Sequence, residues 1–470
     1  MTLWTAQDAA AATGGDAIGN WAISGISIDT RDIQNGDLFV ALKAARDGHD
    51  FVADALAKGA AAALVSRHPE GVAKDAPLLI VDDVLAGLEA LGRAGRARFA
   101  GKVVAITGSV GKTSTKEMLR TVLEKQGKTH AAEKSFNNHW GVPITLAKIP
   151  EDADFAVIEI GMNHPGEIGP LAKMAKPHVA MITTVAAAHL EAFENVIGIA
   201  HEKAAIFDGL TKNGIAVING DLDTTEILDA AAQAHLAQII HFGEKSGVDY
   251  QLTDVVIGDD CTTAKVKRAE GDALFKLQSS GRHFATNGAG VLAVVAALGA
   301  DIGIAATDLA GWIPPEGRGQ RMRVVLDGAL GDGFDLIDDA FNANPTSMAA
   351  SIEVLAAASV PNGARRIAVL GDMLELGPDE EQMHIDIRHM AGFDAIDVVH
   401  AVGPRMKALW STLDADQQGE WVETASELAQ DIHRHMRVGD LVLVKGSKGS
   451  MVSRVVDALL KLGQVSGERS

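Results

Sequence analysis

The chain has 470 residues, 47% of them hydrophobic, and a formal net charge of −20. This length exceeds what a single core supports and predicts two to four domains, and the negative charge argues against nucleic-acid binding. The single cysteine, Cys261, excludes an internal disulfide and a multi-cysteine metal site. Because the sequence has no apolar run of about 18 residues and no secretory signal pattern, we expect a cytoplasmic protein without a membrane span.

Residues 1–82 are predicted to form a compact α/β domain. Polar clusters at residues 27–31 and 47–50 fall in its loops, where they either bind a ligand or are solvated turns. The predicted elements are strands over residues 37–42, 62–66 and 77–81, a helix over residues 54–59 that ends at a glycine, and a helix over residues 84–99 that leads into the next domain.

The segment after that helix has the pattern of a phosphate-binding loop. An apolar strand runs into Thr-Gly-Ser-Val-Gly-Lys-Thr at residues 107–113, and a helical pattern follows. Glycines allow backbone N–H groups to turn toward a phosphate, Lys112 can reach the outer phosphates, and the hydroxyl of Thr113 can bind Mg²⁺. Ile106 stands where the full P-loop pattern has a glycine, so the loop is a shortened variant. It predicts an ATP site, and the alternative is an ordinary glycine-rich turn.

A largely parallel sheet wound with helices is predicted for the second domain, residues 83–313. His283 and Asn287 lie near the start of its last long helix. The elements predicted here are strands over residues 155–160, 179–184 and 215–219, a small antiparallel extension over residues 249–277, and a helix over residues 285–298.

Three residues of this domain could carry chemistry. Glu159 ends a strand, at the sheet edge where open α/β sheets bind ligands, and suits a metal; a hydrogen-bonded structural carboxylate is the alternative. His189 follows the next strand, and a lone histidine is more often structural than a ligand. Lys203 lies on a predicted helix, where the usual interpretation is a surface lysine.

The stretch Ile-Pro-Pro-Glu-Gly at residues 313–317 predicts a linker to a third, doubly wound α/β domain, residues 314–470. Arg318 beside the linker either reaches across an interdomain cleft or is an exposed hinge charge. Polar loops follow three strands of this domain, and together they place binding groups on one edge of the sheet. These loops are residues 338–347, with Asn342, Asn344 and Ser347, and residues 371–377 and 445–450.

In this order, the motifs closely resemble those of the Mur ligases of bacterial cell-wall synthesis, over nearly the whole chain. In that family the shortened phosphate loop is the usual form. The Asn-Ala-Asn-Pro loop at residues 342–345 discriminates within the family, because the member that adds the third amino acid carries Asp-Asn-Pro-Arg instead. The other matching motifs are at residues 135–143, 159–163, 189–191, 339–345 and 371–377.

The resemblance implies three α/β domains: an N-terminal UDP-substrate domain, a central P-loop ATPase-like domain with a parallel sheet, and a C-terminal Rossmann-like domain. It implies that ATP activates the carboxylate of UDP-N-acetylmuramoyl-tripeptide as an acyl phosphate, which D-alanyl-D-alanine then attacks. The alternatives are a ligase for a single amino acid or for folylpolyglutamate, and a nucleotide-regulated binding protein without turnover. We expect a monomer.

Site residues also follow from the resemblance. It implies that CO₂ carbamylates Lys203, and that Glu159, His189 and this carbamate hold one Mg²⁺ while Thr113 and Glu159 help to place another. The implied catalytic residues are Lys112, Glu159, His189 and Lys203. The implied ATP contacts are Thr107, Gly108, Ser109, Gly111, Lys112, Thr113, Ser114, His283, Asn287, Arg318 and Asp339. The implied substrate contacts are Thr30, Arg31, His49, Asn137, Asn138, Asn342, Asn344 and Ser347.

Two departures from the family pattern stand out. The loop at residues 43–47 lacks the glycine that usually follows Lys43 and is one residue short, which affects the expected contacts with UDP. Val110 replaces a frequent asparagine in the phosphate loop, at a position whose side chain is not essential to the cradle.

Overall fold

The computed structural model describes residues 2–328 and 332–466, which fold into three successive α/β units, each around its own sheet. The predicted α/β class is confirmed. Residue 1 and residues 467–470, the outer ends of the first and third predicted domains, lie outside the described residues. Within the described ranges, no helix is long and apolar enough to cross a membrane.

The N-terminal unit is a five-stranded sheet in the order β2-β7-β6-β5-β4, with a separate β1–β3 ribbon. Its strands are β1 (Trp4–Thr5), β2 (Asp16–Ile18), β3 (Ala22–Ile23), β4 (Gly25–Ser27), β5 (Asp37–Val40), β6 (Ala62–Val65) and β7 (Leu78–Ile80). Its helices are α1 (Ala6–Thr13), a 3₁₀ turn (Gly48–Phe51), α2 (Val52–Ala57) and α3 (Val84–Arg98). The predicted strands and helices of this region are present, and the sequence did not predict the two outer strands β2 and β4.

Helix α3 joins the first two units. Asp83 caps its N-terminus, where the side chain accepts a hydrogen bond from the N–H of Ala86 at 2.8 Å. Its buried residues Val84 and Leu88 share one apolar core with Ile144 of the central unit. The first two units therefore pack through a continuous core, and the boundary at residue 82 stays a prediction.

The central unit has a nine-stranded sheet in the order β16-β15-β14-β13-β12-β11-β8-β10-β9. Its strands are β8 (Lys102–Thr107), β9 (Thr129–Ala131), β10 (Phe155–Glu159), β11 (Val179–Ile182), β12 (Ile215–Asn219), β13 (Gln238–Gly243), β14 (Tyr250–Ile257), β15 (Thr262–Lys267) and β16 (Ala273–Leu277). Its helices are α4 (Lys112–Leu123), α5 (Gly141–Ala147), α6 (Ile168–Ala175), α7 (Val196–Ala204), α8 (Thr225–Ala234), α9 (Arg282–Leu298) and α10 (Ile302–Asp308), with 3₁₀ turns at Ala205–Gly209 and Leu309–Gly311.

Strand order places the site of this unit. Strands β8 to β14 run parallel to one another. Strands β15 and β16 continue from β14 as the predicted antiparallel extension. Strand β8 lies between β10 and β11, so the chain passes to opposite sides of β8. Ligands of open α/β sheets bind at the carboxyl ends of the strands where the order reverses in this way. The phosphate loop and Glu159 lie at this point.

The C-terminal unit is a seven-stranded sheet in the order β21-β20-β19-β22-β18-β17-β23, parallel from β21 to β18. Its strands are β17 (Gln320–Asp327), β18 (Asp332–Asp339), β19 (Arg366–Gly371), β20 (Val398–Val402), β21 (Gln418–Val422), β22 (Leu441–Lys445) and β23 (Gln464–Ser466). Its helices are α11 (Pro345–Ala357), α12 (Glu380–Ile385), α13 (Met406–Trp410), α14 (Ala425–Asp431) and α15 (Ser453–Leu460), with 3₁₀ turns at Asp386–His389, Phe393–Ala395, Ile432–His435 and Lys448–Ser450. The antiparallel strand β17 follows the linker directly and was not predicted.

Candidate active site

The phosphate loop connects β8 to α4 and is held against the end of β11. Gly108 is required by close approach, because a Cβ there would lie 1.9 Å from Oγ1 of Thr183. Gly111 has φ +88°, a left-handed conformation that favours glycine. Ser109 also fastens the loop, since its backbone N–H donates to the carbonyl of Thr184 at 2.7 Å and its hydroxyl to that of Ala186 at 3.1 Å. Local sequence and the neighbouring strand together preform the cradle.

Lys112 is folded back on this loop. Its Nζ donates a hydrogen bond to the carbonyl oxygen of Gly108 at 2.6 Å. Desolvation by the surrounding protein lowers the pKa of Lys112 to about 8, and the nearby Glu159 carboxylate partly opposes the shift. The ammonium group of Lys112 thus lies against the phosphate loop, and it loses its proton at a lower pH than an exposed lysine does.

Glu159 is buried and has one oxygen without a protein partner. Its Oε1 accepts hydrogen bonds from Nδ2 of Asn137 at 2.7 Å and from Oγ1 of Thr113 at 3.1 Å. Its Oε2 is buried, and no described residue donates to it. A buried carboxylate oxygen needs a compensating cation or donor, so the Glu159–Thr113 pair fits a hard divalent cation such as Mg²⁺.

Lys203 is not a surface residue; that interpretation of the sequence is wrong. The residue is only 1% exposed and lies in the last turn of α7, with Nζ 4.0 Å from Sδ of Met162. Burial lowers the pKa of Lys203 well below its ordinary value, and repulsion from Lys112 adds to the shift. Deprotonation of Lys203 is therefore easier than for a solvated lysine, which the helical pattern alone could not reveal.

His189 lies in the loop after β11 and contacts the C-terminal unit. Its Nδ1 is 2.5 Å from Oε2 of Glu375. Burial lowers the pKa of His189, the Glu375 carboxylate raises it, and Lys112 and Lys203 lower it further. His189 is thus within electrostatic range of both lysines.

Among the described residues, no group of three or more His, Cys, Asp or Glu side chains is arranged so that it could hold a metal ion. A metal set here therefore needs ligands of another kind, such as the Thr113 hydroxyl, a nucleotide phosphate or a modified Lys203. Glu159 and His189 are the ordinary ligands that the sequence analysis assigned to it.

A cleft of about 290 Å³ separates the phosphate loop from the C-terminal unit. Its walls contain residues predicted to contact ATP or the substrate, and these residues come from segments far apart in the chain. The predicted residues that line it are Ser109, Gly111, Ser114, His283, Asn287, Arg318, Asp339, Asn342, Asn344 and Ser347.

Arg318 crosses this cleft, and the alternative of an exposed hinge charge is wrong. Its guanidinium stacks 3.9 Å above the ring of Phe341, and one amino nitrogen lies 3.5 Å from Oγ of Ser135 in the central unit. Burial lowers the pKa of Arg318, opposed by Glu159 and Asp339. The arginine thus reaches from the linker toward Ser135 and the buried Glu159 of the central unit.

His283 and Asp339 face each other across the same cleft. Burial lowers the pKa of His283 to about 4, so its ring is neutral at physiological pH. Oδ2 of Asp339 accepts hydrogen bonds from Nζ of Lys445 at 2.6 Å and from Oγ of Ser351 at 2.5 Å. On the central side, the side chain of Asn287 lies 3.0 Å from where a Cβ on Gly111 would stand. These groups form a polar, preorganised wall.

Two predicted substrate residues have structural roles at the start of α11. Oδ1 of Asn344 accepts a hydrogen bond from the N–H of Ser347 at 2.9 Å, and Oγ of Ser347 accepts one from the N–H of Asn344 at 3.0 Å. This is a capping box. Both residues still line the cleft, so capping and ligand contact are compatible.

The residues predicted to bind the UDP part lie in the first unit. His49 is buried: its Nδ1 is 2.7 Å from Oδ1 of Asp47, and its Nε2 accepts a hydrogen bond from the N–H of Ser66 at 2.9 Å. Arg31 is exposed and paired with Asp29, and the carbonyl of Thr30 accepts from Lys58 at 3.2 Å. Their contact with a nucleotide stays a prediction.

Asn138 lies in the turn that precedes helix α5, and its Oδ1 accepts hydrogen bonds from the N–H groups of Trp140 and Gly141 at 3.1 Å and 2.9 Å. Its neighbour Asn137 instead reaches Glu159, as described above. The two predicted substrate residues therefore have different partners: Asn138 holds the turn before α5, and Asn137 bonds to the buried Glu159.

Comparison with known proteins accounts for this arrangement. Three family models match: the Mur ligase family catalytic domain over residues 22–96, the Mur ligase middle domain over 106–296 and the Mur ligase glutamate ligase domain over 320–448. The UDP-N-acetylmuramoyl-tripeptide–D-alanyl-D-alanine ligase of Escherichia coli is 35% identical over 445 residues, which cover 94% of each chain. The chain belongs to the Mur ligase family.

Further relatives agree along the whole length. The ligase of the same name from Rickettsia prowazekii is 32% identical and covers 97% of this chain and 99% of its own. A crystal structure of MurF from Acinetobacter baumannii superposes with a TM-score of 0.83 at 31% identity, over 97% of this chain and 99% of that one. MurF ligase from Thermotoga maritima, solved in complex with ADP, has a TM-score of 0.76 at 27% identity and covers 93% of this chain and 97% of its own.

Sequence reasoning missed several residues of this Mur ligase cleft. Thr184, Asn219, Asp221 and Ser351 line it in addition to Lys445, which begins the predicted polar loop at residues 445–450. Asn219 and Asp221 lie at or just after the carboxyl end of the parallel strand β12, the same signal that singled out Glu159. Ser351 lies inside a helix, where only the tertiary contact with Asp339 identifies it.

Proposed function

We propose that this Mur ligase joins D-alanyl-D-alanine to UDP-N-acetylmuramoyl-tripeptide at the expense of ATP, a step of peptidoglycan precursor synthesis. The observation that carries the proposal is the cleft, where the phosphate loop of the central unit faces the Asn-Ala-Asn-Pro loop of the C-terminal unit. Relatives that match nearly the whole chain bear the name of this activity. ATP as the nucleotide is supported by the ADP complex of the Thermotoga maritima relative.

The reaction has two steps. The terminal carboxylate of the tripeptide attacks the γ-phosphorus of ATP, which gives an acyl phosphate and releases ADP. The free amine of D-alanyl-D-alanine then attacks the acyl carbon, loses a proton and expels inorganic phosphate. No protein nucleophile is needed, so the protein contributes binding, orientation and charge compensation.

Lys112 and the N-terminus of α4 are the charge-compensating groups of the first step. The N–H groups of residues 111–113 lie at the positive end of the helix, where an anionic phosphate is stabilised. To contact a phosphate, Nζ of Lys112 exchanges its hydrogen bond with Gly108 for one with the ligand. Arg318 approaches from the other side of the cleft and supplies a second cation.

One Mg²⁺ would be held by Glu159, His189 and the carbamate of Lys203, and a second would be placed by Thr113 and Glu159 near the transferring phosphoryl group, whose charge it would neutralise. The partnerless Oε2 of Glu159 supports the metal. The lowered pKa of Lys203 supports the carbamate, because only a neutral amine attacks CO₂, with release of one proton. The product is a carboxylate where the sequence alone has a cation.

An assay of amine specificity tests the proposed reaction. Phosphate release is measured with the purified chain, ATP, Mg²⁺ and UDP-N-acetylmuramoyl-tripeptide, with either D-alanyl-D-alanine or a single amino acid as acceptor. We expect release with the dipeptide only. Release with a single amino acid but not with the dipeptide would refute the dipeptide assignment.

A matched variant separates the proposed ligase from a contaminating phosphatase. Lys112→Met removes the ammonium group at the cradle and keeps a side chain of similar length, so dipeptide-dependent release should disappear. Phosphate release that persists in this variant does not come from the proposed site.

We also propose that the enzyme is a cytoplasmic monomer. ATP and UDP-linked precursors are cytoplasmic metabolites, and every group assigned to the site comes from one chain. Light scattering coupled to size exclusion should give the mass of a single chain, 49.1 kDa. A dimer mass would refute the monomer.

A further inference from the structure

The loop at residues 371–377 touches the loop that carries His189, although the two belong to different units. Oε2 of Glu375 lies 2.5 Å from Nδ1 of His189. The backbone adds a second bond, since the N–H of Glu191 donates to the carbonyl oxygen of Glu375 at 3.2 Å. A side-chain bond and a backbone bond therefore join the same two loops.

Both partners have an unusual backbone conformation. His189 has φ +59° and Glu375 has φ +63°. Residues with a Cβ seldom adopt the left-handed region, and where they do the surrounding structure enforces it, commonly at functional sites. Two such residues in direct contact indicate that the pair is held in place by its surroundings.

The C-terminal unit fixes the loop that presents Glu375. The N–H of Met373 donates to Nε2 of the buried His384 at 3.0 Å, and the N–H of Leu374 donates to Oγ of Ser447 at 2.9 Å. Two backbone groups directly before Glu375 are therefore tied to their own unit. The carboxylate arrives at His189 on a fixed support.

This contact has a chemical consequence for the imidazole. A histidine that donates Nδ1–H to a carboxylate keeps the lone pair on Nε2, which is then the atom free to bind a metal. Such a partner also fixes the orientation of the ring. The Glu375 carboxylate is thus placed to accept Nδ1–H of His189 and to hold the ring with Nε2 free for a metal.

We propose that Glu375 is a positioning residue that the C-terminal unit supplies to His189, so that the orientation of this metal-binding ring depends on the contact between the two units. The inference rests on the proposed function in one respect, the role of His189 as a metal ligand. It links the proposed dipeptide-binding unit to the phosphoryl-transfer site, because the loop that carries Glu375 and the Asn-Ala-Asn-Pro loop belong to the same unit.

The tautomer of His189 is the first readout, and it needs neither metal nor turnover. The full chain is labelled with ¹⁵N-histidine and saturated with UDP-tripeptide, ADP and D-alanyl-D-alanine without Mg²⁺. The His189 signal is assigned with His189→Asn. We expect the Nδ1–H tautomer in the unaltered protein and in Glu375→Gln, whose amide oxygen still accepts, and a shift toward Nε2–H in Glu375→Ala. An unchanged tautomer in Glu375→Ala would overturn the proposal.

Metal binding is the second readout. Mn²⁺ as a substitute for Mg²⁺ is titrated into the same liganded complexes and followed by electron paramagnetic resonance. Loss of an outer-shell partner weakens metal binding by about 10–100-fold, so we expect that loss in Glu375→Ala and partial recovery in Glu375→Gln. Glu381→Ala, which removes an exposed carboxylate of α12, is the matched control and should bind Mn²⁺ like the unaltered protein.

The two readouts separate the possible failures. A tautomer shift with unchanged Mn²⁺ affinity would show that Glu375 does not position a metal ligand and would overturn the proposal. Failure of the proposed function would appear elsewhere, as an unaltered protein that does not ligate the dipeptide, and the tautomer test would still decide whether Glu375 sets the state of His189.

Discussion

Lys203 shows how much a residue depends on its surroundings. Its ammonium group would lie in a buried site within range of Lys112, and both burial and like charge disfavour the protonated form. On the helix alone, the same lysine looks like a solvated side chain. The local sequence determines the helix, and the packing around α7 lowers the pKa of the lysine.

Removal of Lys203 tests its assigned role as a carbamate. In Lys203→Ala we expect kcat to fall by about 100-fold or more, because loss of a direct ligand should exceed the effect of an outer-shell change. Short carboxylic acids that fit the vacated space should restore part of the activity. The measurement is phosphate release with and without added acetate or formate.

Two controls accompany this test. Lys212→Ala removes an exposed lysine that follows α7 in sequence and should leave kcat unchanged. In the unaltered protein, ¹³C-bicarbonate should produce a carbamate signal by ¹³C NMR that Lys203→Ala lacks. Full activity of Lys203→Ala would refute the carbamate role.

At the scale of elements, long apolar runs were predicted well and short or polar strands were not. The strand–loop–helix from β8 to α4 is local: apolar side chains form the strand, two glycines make the turn, and the helix follows. Strand β9 has only three residues, and β17 begins with the charged segment Gln-Arg-Met-Arg. Such strands form because a neighbouring strand pairs with them, which a sequence window does not show.

The start of α11 carries two functions that substitution can separate. Asn344→Ala removes the cap and should lower the free energy of unfolding by about 1 kcal/mol. Asn344→Asp keeps an oxygen acceptor for the N–H of Ser347 and should change stability by only a few tenths of a kcal/mol. Urea denaturation measures this difference.

The same pair tests contact with the dipeptide. If the Asn344 amide binds D-alanyl-D-alanine, both variants should raise KM for the dipeptide, including the aspartate variant with near-normal stability. A normal KM in Asn344→Asp would restrict Asn344 to capping.

At the scale of the whole molecule, buried neutral histidines make stability depend on pH. His400 on β20 is 1% exposed, and its Nδ1 accepts a hydrogen bond from the N–H of Glu420 at 3.0 Å. Burial lowers the pKa of His400 to about 4, and His435 and Arg365 add repulsion. Burial also lowers the pKa of His130 to about 4.

The sign of the effect follows from proton linkage. The unfolded chain binds a proton at His400 below its ordinary pKa of 6.5, whereas the folded chain does so only near pH 4. The stabilisation by neutral His400 is therefore complete above pH 6.5 and is lost as pH falls toward 4. The difference between a pKa of 6.5 in the unfolded chain and about 4 in the folded chain corresponds to roughly 3 kcal/mol of folding stability.

Asp338 acts in the opposite direction. Burial raises the pKa of Asp338 to about 6, so its protonation stabilises the folded state as pH falls below that value.

Replacement of His400 isolates its contribution. Both proteins should lose stability between neutral pH and pH 4.5, and the loss in His400→Gln should be smaller than in the unaltered protein by about 2–3 kcal/mol. Urea denaturation at both pH values gives this difference, from which Asp338 cancels.

The exposed His433, in the same unit, provides the matched control. His433→Gln should show the pH dependence of the unaltered protein. Equal loss of stability in all three proteins would contradict the assignment to His400.

By itself, the sequence determined the α/β class, the strands built from long apolar runs, the phosphate loop and the family resemblance. These features depend on backbone sterics and on side-chain patterns within a few neighbouring residues, so the chain carries them locally. Tertiary structure alone decided which groups meet: Glu159 with one partnerless oxygen, Lys203 without solvent, Arg318 across the cleft, and Glu375 against His189, 186 residues away. Solvation, charge and hydrogen bonding act through space, and packing brings together groups whose spacing along the chain gives no sign of it.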